Sequence, residues 1–353
     1  MKNKKVAIAM SGGIDSSVTA ALLKKQGCNC IGIFLKFWED TSVPKKVENR
    51  CCSADSFQKA KRVASYLDFP LYTLNFKKDF KKQIVDDFLK QYKIGNTPNP
   101  CIRCNKFIKF DLLIKKARLL GCDYLATGHY VINGQRTRDK EQVLYRGKDK
   151  NKDQSYFLYN LNQNKLKQIL FPLGSYTKTQ VRSLAKKYKL PVSWDRESQE
   201  VCFVPEKRIE SFLKRYLKLK TGNIVTTEKK VVGKHDGLAL YTLGQRRGIK
   251  VGGIGPLYVV KKNKINNQLV VSKNINDKLL YKNEFKLKNI NWVNEKPKEN
   301  KIYDLVIRYQ SKPIKCKIKN QKILLIKPAK LITPGQSAVI YEKNKLIGGG
   351  VIC

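Results

Sequence analysis

The chain has 353 residues, with 72 Lys and Arg against 28 Asp and Glu, a formal net charge of +44, and ten Cys. That charge points to a polyanionic partner, nucleic acid ahead of membrane, although about half the excess is assigned to a Lys-biased composition seen in the Asn-Lys-Ile stretches after Val260. No apolar run reaches the ~18 to 20 residues of a spanning helix, the Cys density is far below a disulfide scaffold, and no signal-like cleavage site follows the basic start, so a cytoplasmic, thiol-reduced protein with no membrane partner is expected.

Residues 6–10, Val-Ala-Ile-Ala-Met, predict a strand, and residues 18–23 the body of a helix. The turn between them is Ser11-Gly12-Gly13-Ile14-Asp15-Ser16-Ser17. Glycines let the backbone approach an anion, the hydroxyls of Ser11, Ser16 and Ser17 add donors, and the helix start aims its N–H groups at the same point. Neither the Walker spacing nor a dinucleotide Gly-x-Gly-x-x-Gly is present. Strand-like runs at 31–35, 71–74 and 123–127 then alternate with helical patterns at 54–67, 79–92 and 105–120, which predicts a parallel sheet covered by helices. Cys28, Cys30, Cys122, Cys316 and Cys353 read as buried thiols, and Cys51-Cys52, ahead of the helical run, as structural.

Three loop segments carry candidate chemistry. Residues 97–106, Thr-Pro-Asn-Pro-Cys-Ile-Arg-Cys-Asn-Lys, form a stiff loop ending at a helix start, where the dipole, Arg103 and Lys106 would favour a thiolate. Thr127-Gly128-His129-Tyr130 follows a strand, and residues 152–158 place Lys, Asp and Gln beside Tyr156 and Phe157. A second loop thiol, Cys202, lies in Ser-Gln-Glu-Val-Cys-Phe at 198–203. In between, Thr177 and Gln180 have capping-box spacing, Val181, Leu184, Ala185 and Tyr188 form an apolar stripe, and Pro191 stops the helix. After about Glu210 short β runs at 237–243, 257–260, 269–272, 303–307, 323–326 and 338–341 predict two small β domains, one ending near Asn276 and one starting near Asn283.

Ser-Gly-Gly-x-Asp-Ser-Ser resembles the PP-loop of ATP pyrophosphatases, which split ATP to AMP and pyrophosphate and leave an adenylated substrate. With Thr-Pro-Asn-Pro-x-x-x-Cys-Asn-Lys, Ala-Thr-Gly-His-Tyr, Lys-Asp-Gln-Ser-Tyr-Phe-Leu, Ser-Gln-x-x-Cys-Phe and a late Thr-Pro-Gly-Gln, the chain is similar to the bacterial tRNA-specific 2-thiouridylases from residue 6 to near its C-terminus. The resemblance implies an α/β fold: an N-terminal parallel-sheet, adenine-nucleotide α-hydrolase-like (PP-loop) domain at 1–208, a central β domain at 209–276 and a β-barrel-like domain at 283–353. It implies 2-thiolation of the wobble uridine of tRNAs for Lys, Glu and Gln, with ATP and Mg²⁺, through adenylation of the C2 oxygen and sulfur from a persulfide relay protein.

The same resemblance assigns residues. Ala9, Met10, Ser11, Gly12, Gly13, Ile14, Asp15, Ser16, Leu35 and Gly128 would hold ATP, with Asp15 near the metal and phosphates. Cys202 would carry the persulfide and Cys104 would be the nucleophile, either freeing sulfide from Cys202 or resolving the persulfide after attack at C2, the two forming a redox pair. Asn99, Pro100 and Cys101 match the target-base loop, and His129, Lys152, Asp153, Gln154, Arg308, Tyr309 and Gln336 match tRNA contacts. His129 also reads as a core histidine, and Arg308 with Tyr309 as a solvated strand end. Many family members carry Asp where Cys101 stands; Cys101, Cys104 and Cys202 could instead ligate an iron-sulfur cluster. Zinc fits less well, wanting ~4 grouped ligands. The rivals are a PP-loop sulfurtransferase acting at another tRNA position, an amidotransferase-type pyrophosphatase, for which no glutaminase block is visible, and an inactive tRNA-binding protein.

Overall fold

The apolar run at the N-terminus becomes strand β1 (Lys5–Met10), whose interior residues are buried as expected for a strand covered on both faces. The computed structural model describes residues 1–43, 53–192, 201–204 and 209–353. Cys51, Cys52 and Ser198 to Glu200 lie outside the described residues. After β1 come α1 (Ile14–Lys25), β2 (Asn29–Lys36), α2 (Ala54–Tyr66), β3 (Leu71–Asn75), α3 (Lys77–Phe80), α4 (Asp86–Lys93), α5 (Pro100–Arg103), α6 (Leu113–Leu119) and β4 (Tyr124–Ala126). A hairpin of β5 (Val131–Gln135) and β6 (Gln142–Arg146) follows, then α7 (Gln163–Leu166), β7 (Ile169–Leu170), α8 (Lys178–Lys187) and α9 (Ile209–Tyr216). Strands β3, β2, β1, β4 and β7 form one parallel sheet in that order.

Two expected helices differ in their winding. Lys81–Val85, between α3 and α4, and Cys104–Leu112, between α5 and α6, are π-helical. The second starts at Cys104, and such wider turns recur at functional sites. The helix at 178–187 starts as its capping box predicts: Gln180 N–H donates to Thr177 Oγ1 (3.2 Å) and Thr177 N–H to Gln180 Oε1 (2.9 Å).

The central sheet contains β8 (Gly222–Thr226), β9 (Val231–His235), β10 (Tyr258–Asn263) and β11 (Gln268–Ser272), in the order β10-β11-β8-β9. The strand expected at 237–243 is absent; a 3-10 turn, Leu238–Leu240, takes its place after Gly237 at φ +151°. The last domain holds β12 (Tyr281–Trp292), β13 (Tyr303–Val306), β14 (Ile314–Lys319), β15 (Lys322–Lys330), β16 (Ser337–Glu342) and β17 (Lys345–Ile352). These six close into an antiparallel barrel because the long β12 pairs with β15 at one end and β17 at the other, with register breaks after Lys282 and Lys288 that let it bend.

The β5–β6 hairpin, although it belongs to the first domain by sequence, joins the barrel sheet through Tyr145 opposite Lys345. Beside it, Tyr156 OH donates to Ser337 O (2.8 Å), Tyr159 OH meets Ser337 Oγ (3.1 Å), and Arg146 lies 3.7 Å over the Tyr341 ring. Hydrophobic and aromatic packing thus runs continuously from the first sheet into the barrel. Cys28, Cys30, Cys122 and Cys316 are buried as expected, whereas Cys353 is exposed at the chain end. No helix among the described residues is long and apolar enough to cross a membrane.

Candidate active site

In the first sheet the chain runs outward from β1 to β2 on one side and to β4 on the other, and the crevice beyond the carboxyl ends of β1 and β4 is where such sheets bind ligands. The glycine turn after β1 opens there. Gly12 takes φ +77° and lies so close to α2 that a Cβ would stand 2.3 Å from Ser56 O, so only glycine fits. Gly13 is the N-cap of α1 and no side chain caps the helix, leaving its first N–H groups to an anion. The hydroxyls behave differently from expectation. Ser16 and Ser17 donate to Gly13 O (2.9 and 3.0 Å), so they brace the turn, and Ser11 Oγ contacts Ser16 Oγ at 3.2 Å.

Gly128, after β4, presses on this turn: a Cβ there would lie 3.0 Å from the Asp15 carbonyl carbon and 3.1 Å from Ser16 N. Ala9 and Met10 end β1 directly before the turn, and Leu35 lies near the carboxyl end of the neighbouring β2. Ile14 is half-buried against the helix pair α1 and α8. Asp15 accepts from Lys178 Nζ at 2.8 and 2.9 Å and from Tyr130 OH at 2.6 Å. Lys178, the first residue of α8, is itself buried. This buried lysine beside the glycine turn is a candidate site residue that the sequence reading missed, because the helical pattern around it hid its direction.

The thiols meet at the same end of the sheet. Asn99 caps α5, its Oδ1 accepting from Cys101 N–H (3.1 Å) and Ile102 N–H (3.4 Å). Cys104 is buried at the start of the π-helical stretch, and desolvation pushes its thiol up to about 12. Cys101 is exposed, yet desolvation by the surrounding chain pushes its thiol up to about 11. Cys202, half-buried, lies near enough that its charge raises both. The low-pKa thiol expected at this loop is therefore corrected: burial outweighs the helix dipole. Arg103 is committed to Asp87 (3.0 Å) and Gln83 O (3.1 Å), and Lys109 is the cation that favours the Cys101 and Cys104 thiolates.

Among the described residues no three His, Cys, Asp or Glu side chains group as a metal site, so the iron-sulfur reading of Cys101, Cys104 and Cys202 finds no ligand set.

Three family models match in succession: a tRNA methyl transferase HUP domain at residues 4–206, a tRNA methyl transferase PRC-barrel domain at 210–273 and an aminomethyltransferase beta-barrel domain at 282–352. A tRNA-specific 2-thiouridylase MnmA of Geotalea uraniireducens is 42% identical over 361 residues, covering 99% of this chain and 95% of that protein. Proteins of the same name from Clostridium kluyveri and Buchnera aphidicola are 41% and 42% identical, each over 99% of this chain and over 99% and 97% of theirs. The chain belongs to the tRNA-specific 2-thiouridylase family.

The remaining positions matched to this family's tRNA contacts divide by burial. His129 is buried between Phe110 and Phe171, its Nδ1 meets Thr127 Oγ1 at 2.8 Å, and desolvation with Lys109 holds it neutral, its pKa well below the ordinary value. Asp153 is also buried, accepting from Arg146 (3.0 Å), Gly147 N–H (3.0 Å) and Ser155. Gln154 Oε1 accepts from Tyr130 N–H (3.0 Å), and Lys152 is half-buried beside them. In this arrangement the Lys-Asp-Gln-Ser-Tyr-Phe-Leu stretch fastens the first domain to the barrel. Arg308 donates to Thr333 Oγ1 (3.0 Å) and Tyr309 packs on Phe157 (4.5 Å).

Gln336 explains the late Thr-Pro-Gly-Gln. Its Nε2 donates to Thr97 O (2.9 Å), while Thr97 N–H donates to Pro334 O (2.9 Å) and Thr97 Oγ1 meets Thr242 Oγ1 at 3.1 Å. Thr97 is the point where the segment before β10, through Thr242, and the barrel, through Pro334 and Gln336, both grip the loop that leads to Asn99, Pro100 and Cys101.

Proposed function

We propose that this family member uses ATP to activate C2 of the wobble uridine in tRNAs for Lys, Glu and Gln and replaces its oxygen with sulfur carried by Cys202. As a member of the family it is a tRNA-uridine 2-sulfurtransferase. One observation carries the finer reading: a phosphate-cradling turn and a thiol group share one end of the sheet. Gly128 rests on Asp15 and Ser16, Lys109 acts on both His129 and Cys104, and Cys202 acts on Cys104. Methyl transfer, the wording of the first two domain models, would leave cradle and thiols without a task.

The C2 oxygen attacks the α-phosphorus of ATP, and the bond to the bridging oxygen breaks as pyrophosphate leaves. Residues 9–16, Leu35 and Gly128 would hold the nucleotide, with the free N–H groups of α1 and Lys178 countering phosphate charge. Mg²⁺ would be held chiefly by the nucleotide's own oxygens, with Asp15, which Lys178 and Tyr130 engage here, as the nearby carboxylate, and when bound it supplies charge neutralisation on the departing pyrophosphate.

Sulfur then displaces AMP from C2. Burial keeps Cys104 a neutral thiol at rest, and Lys109 favours the thiolate when it is needed. In one route the terminal sulfur of the Cys202 persulfide attacks C2, and the Cys104 thiolate then attacks Cys202 Sγ to release the thiocarbonyl. In the other, Cys104 attacks Cys202 Sγ first and the freed hydrosulfide attacks C2. Both end in 2-thiouridine, AMP and a Cys104–Cys202 disulfide that a thiol reductant clears with two electrons before a relay protein reloads Cys202.

Nucleoside mass spectrometry of the three tRNAs, after incubation with ATP, Mg²⁺ and a protein persulfide donor, tests the reading. Thiolation confined to wobble C2, with equimolar AMP and pyrophosphate, is expected, and Cys101→Ala in iron-free protein should retain it. Sulfur at another nucleotide, or activity lost with Cys101 and restored only by iron and sulfide, overturns it.

A further inference from the structure

The seam between the first domain and the central sheet holds a cavity of about 240 Å³, remote in the chain from the glycine turn. Lys93 at the end of α4, Lys218 and Lys220 after α9, Lys262 on β10 and Lys264 just beyond it line the cavity, and no acidic residue does. Elsewhere crowded cations are answered by carboxylates: Arg136 by Asp139 and Glu295, Lys214 by Glu210 and Asp236, Arg215 by Asp40. Here none of the five is ion-paired among the described residues.

Lys262 is the least solvated of them. Its Nζ donates to Tyr241 O (2.9 Å), and burial together with Lys264 lowers its pKa to about 8, so its charge is held against both desolvation and repulsion. An incoming anion relieves both. The four other lysines are exposed around it. Exposed point charges ringing one half-buried ammonium suit a chain of repeating phosphates better than an enclosed small anion.

The cavity also touches the root of the substrate loop. Gly95, at φ +80°, gives way to the Lys264 stem; a Cβ there would lie 2.9 Å from Lys264 Cε. Thr97 and Asn99, which hold and cap the loop with Cys101, follow within four residues. A phosphate seated here would draw the central sheet and this loop together.

We propose that the lysine-lined cavity is a phosphodiester site for the tRNA backbone, distinct from the pocket for the reacting base. The inference rests on the tRNA reading above. Binding of tRNA is measured across 50 to 200 mM salt for the unaltered protein, Lys262→Gln with Lys264→Gln, the same pair changed to Arg, and Lys218→Gln with Lys220→Gln. Each Gln pair is expected to weaken binding about 10-fold at low salt and to reduce the slope of log affinity against log salt by roughly 1 to 2, whereas the Arg pair keeps both. The exposed Lys218 and Lys220 pair keeps the test informative if the Lys262 pair folds poorly. In a parallel arm, inorganic phosphate and pyrophosphate are titrated against isotope-labelled methylated lysines. tRNA raising the Lys262 titration midpoint supports the proposal; free phosphate or pyrophosphate doing so while tRNA does not overturns it. Unchanged affinity and slope in both Gln pairs overturn it while leaving the tRNA reading intact. An unaltered protein that binds no tRNA overturns the reading beneath.

Discussion

Gly335→Ala isolates the grip of the barrel on the substrate loop. Gly335 sits at φ +92°, and an added Cβ would stand 2.8 Å from Asn96 Cβ, 2.9 Å from Thr97 N and 3.1 Å from Thr97 C. A left-handed backbone costs an L-residue roughly 1 to 2 kcal/mol. The overlap is relieved only if the loop retreats by about 1 Å toward the ~3.5 to 4.0 Å of ordinary carbon contact. That retreat endangers two hydrogen bonds, Thr97 N–H to Pro334 O and Gln336 Nε2–H to Thr97 O, at about 0.5 to 1.5 kcal/mol each. The total is about 2 to 5 kcal/mol, concentrated two residues before the cap of the helix that bears Cys101 and leads into the π-helical stretch starting at Cys104. A displacement of that size at a reacting group costs on the order of 10²-fold in rate. The assay is the turnover of 2-thiouridine formation at saturating tRNA, read by nucleoside mass spectrometry beside a thermal melt. Gly255→Ala is the control, since Gly255 has φ +83° but nothing within 4 Å, and should keep turnover. Wild-type turnover and melting in Gly335→Ala would refute the idea that the barrel positions the loop.

Cys202→Ser should abolish thiolation while leaving tRNA binding within about 2-fold, because a hydroxyl cannot carry a persulfide; continued 2-thiouridine formation from a protein persulfide donor contradicts this. Asp15→Ala should remove tRNA-dependent pyrophosphate release and lower the melting temperature, since it strips Lys178 of its 2.8 Å carboxylate partner; release at the wild-type rate refutes it. Cys316, fully buried in the barrel, has its thiol pushed up to about 12, above the ~8.5 of an unfolded chain. The fold therefore favours the protonated form: the contribution is whole below pH ~8.5 and fades as pH rises toward 12. Denaturant midpoints should fall between pH 8 and 10.5 by more in the wild type than in Cys316→Ala, and equal falls would show that the thiol is not the cause.

Local signals in the chain were sufficient for the parts whose cause is local. The apolar run at 6–10 with its two glycines specifies a strand, a tight turn and a helix start, because only glycine tolerates the φ of Gly12 against Ser56. Thr177 and Gln180 cap their helix through bonds three residues apart, so spacing alone announces them. The parallel sheet followed by two β units was likewise legible from the change in hydrophobic period. Long-range placement was not. The hairpin at 131–146 was not read from the chain, and its membership of the barrel sheet depends on residue 345, two hundred positions after Tyr145. Arg103 looked like a thiol activator until Asp87 claimed it, and nothing along the chain singled out Lys109, which acts on the thiols, or Lys178, which is buried against Asp15. Which residue types are available is written along the chain. The pKa of Cys104, the partner of Asp15 and the meeting of Thr97 with Thr242 and Gln336 depend on desolvation and distance, which exist only once segments far apart in sequence are packed side by side.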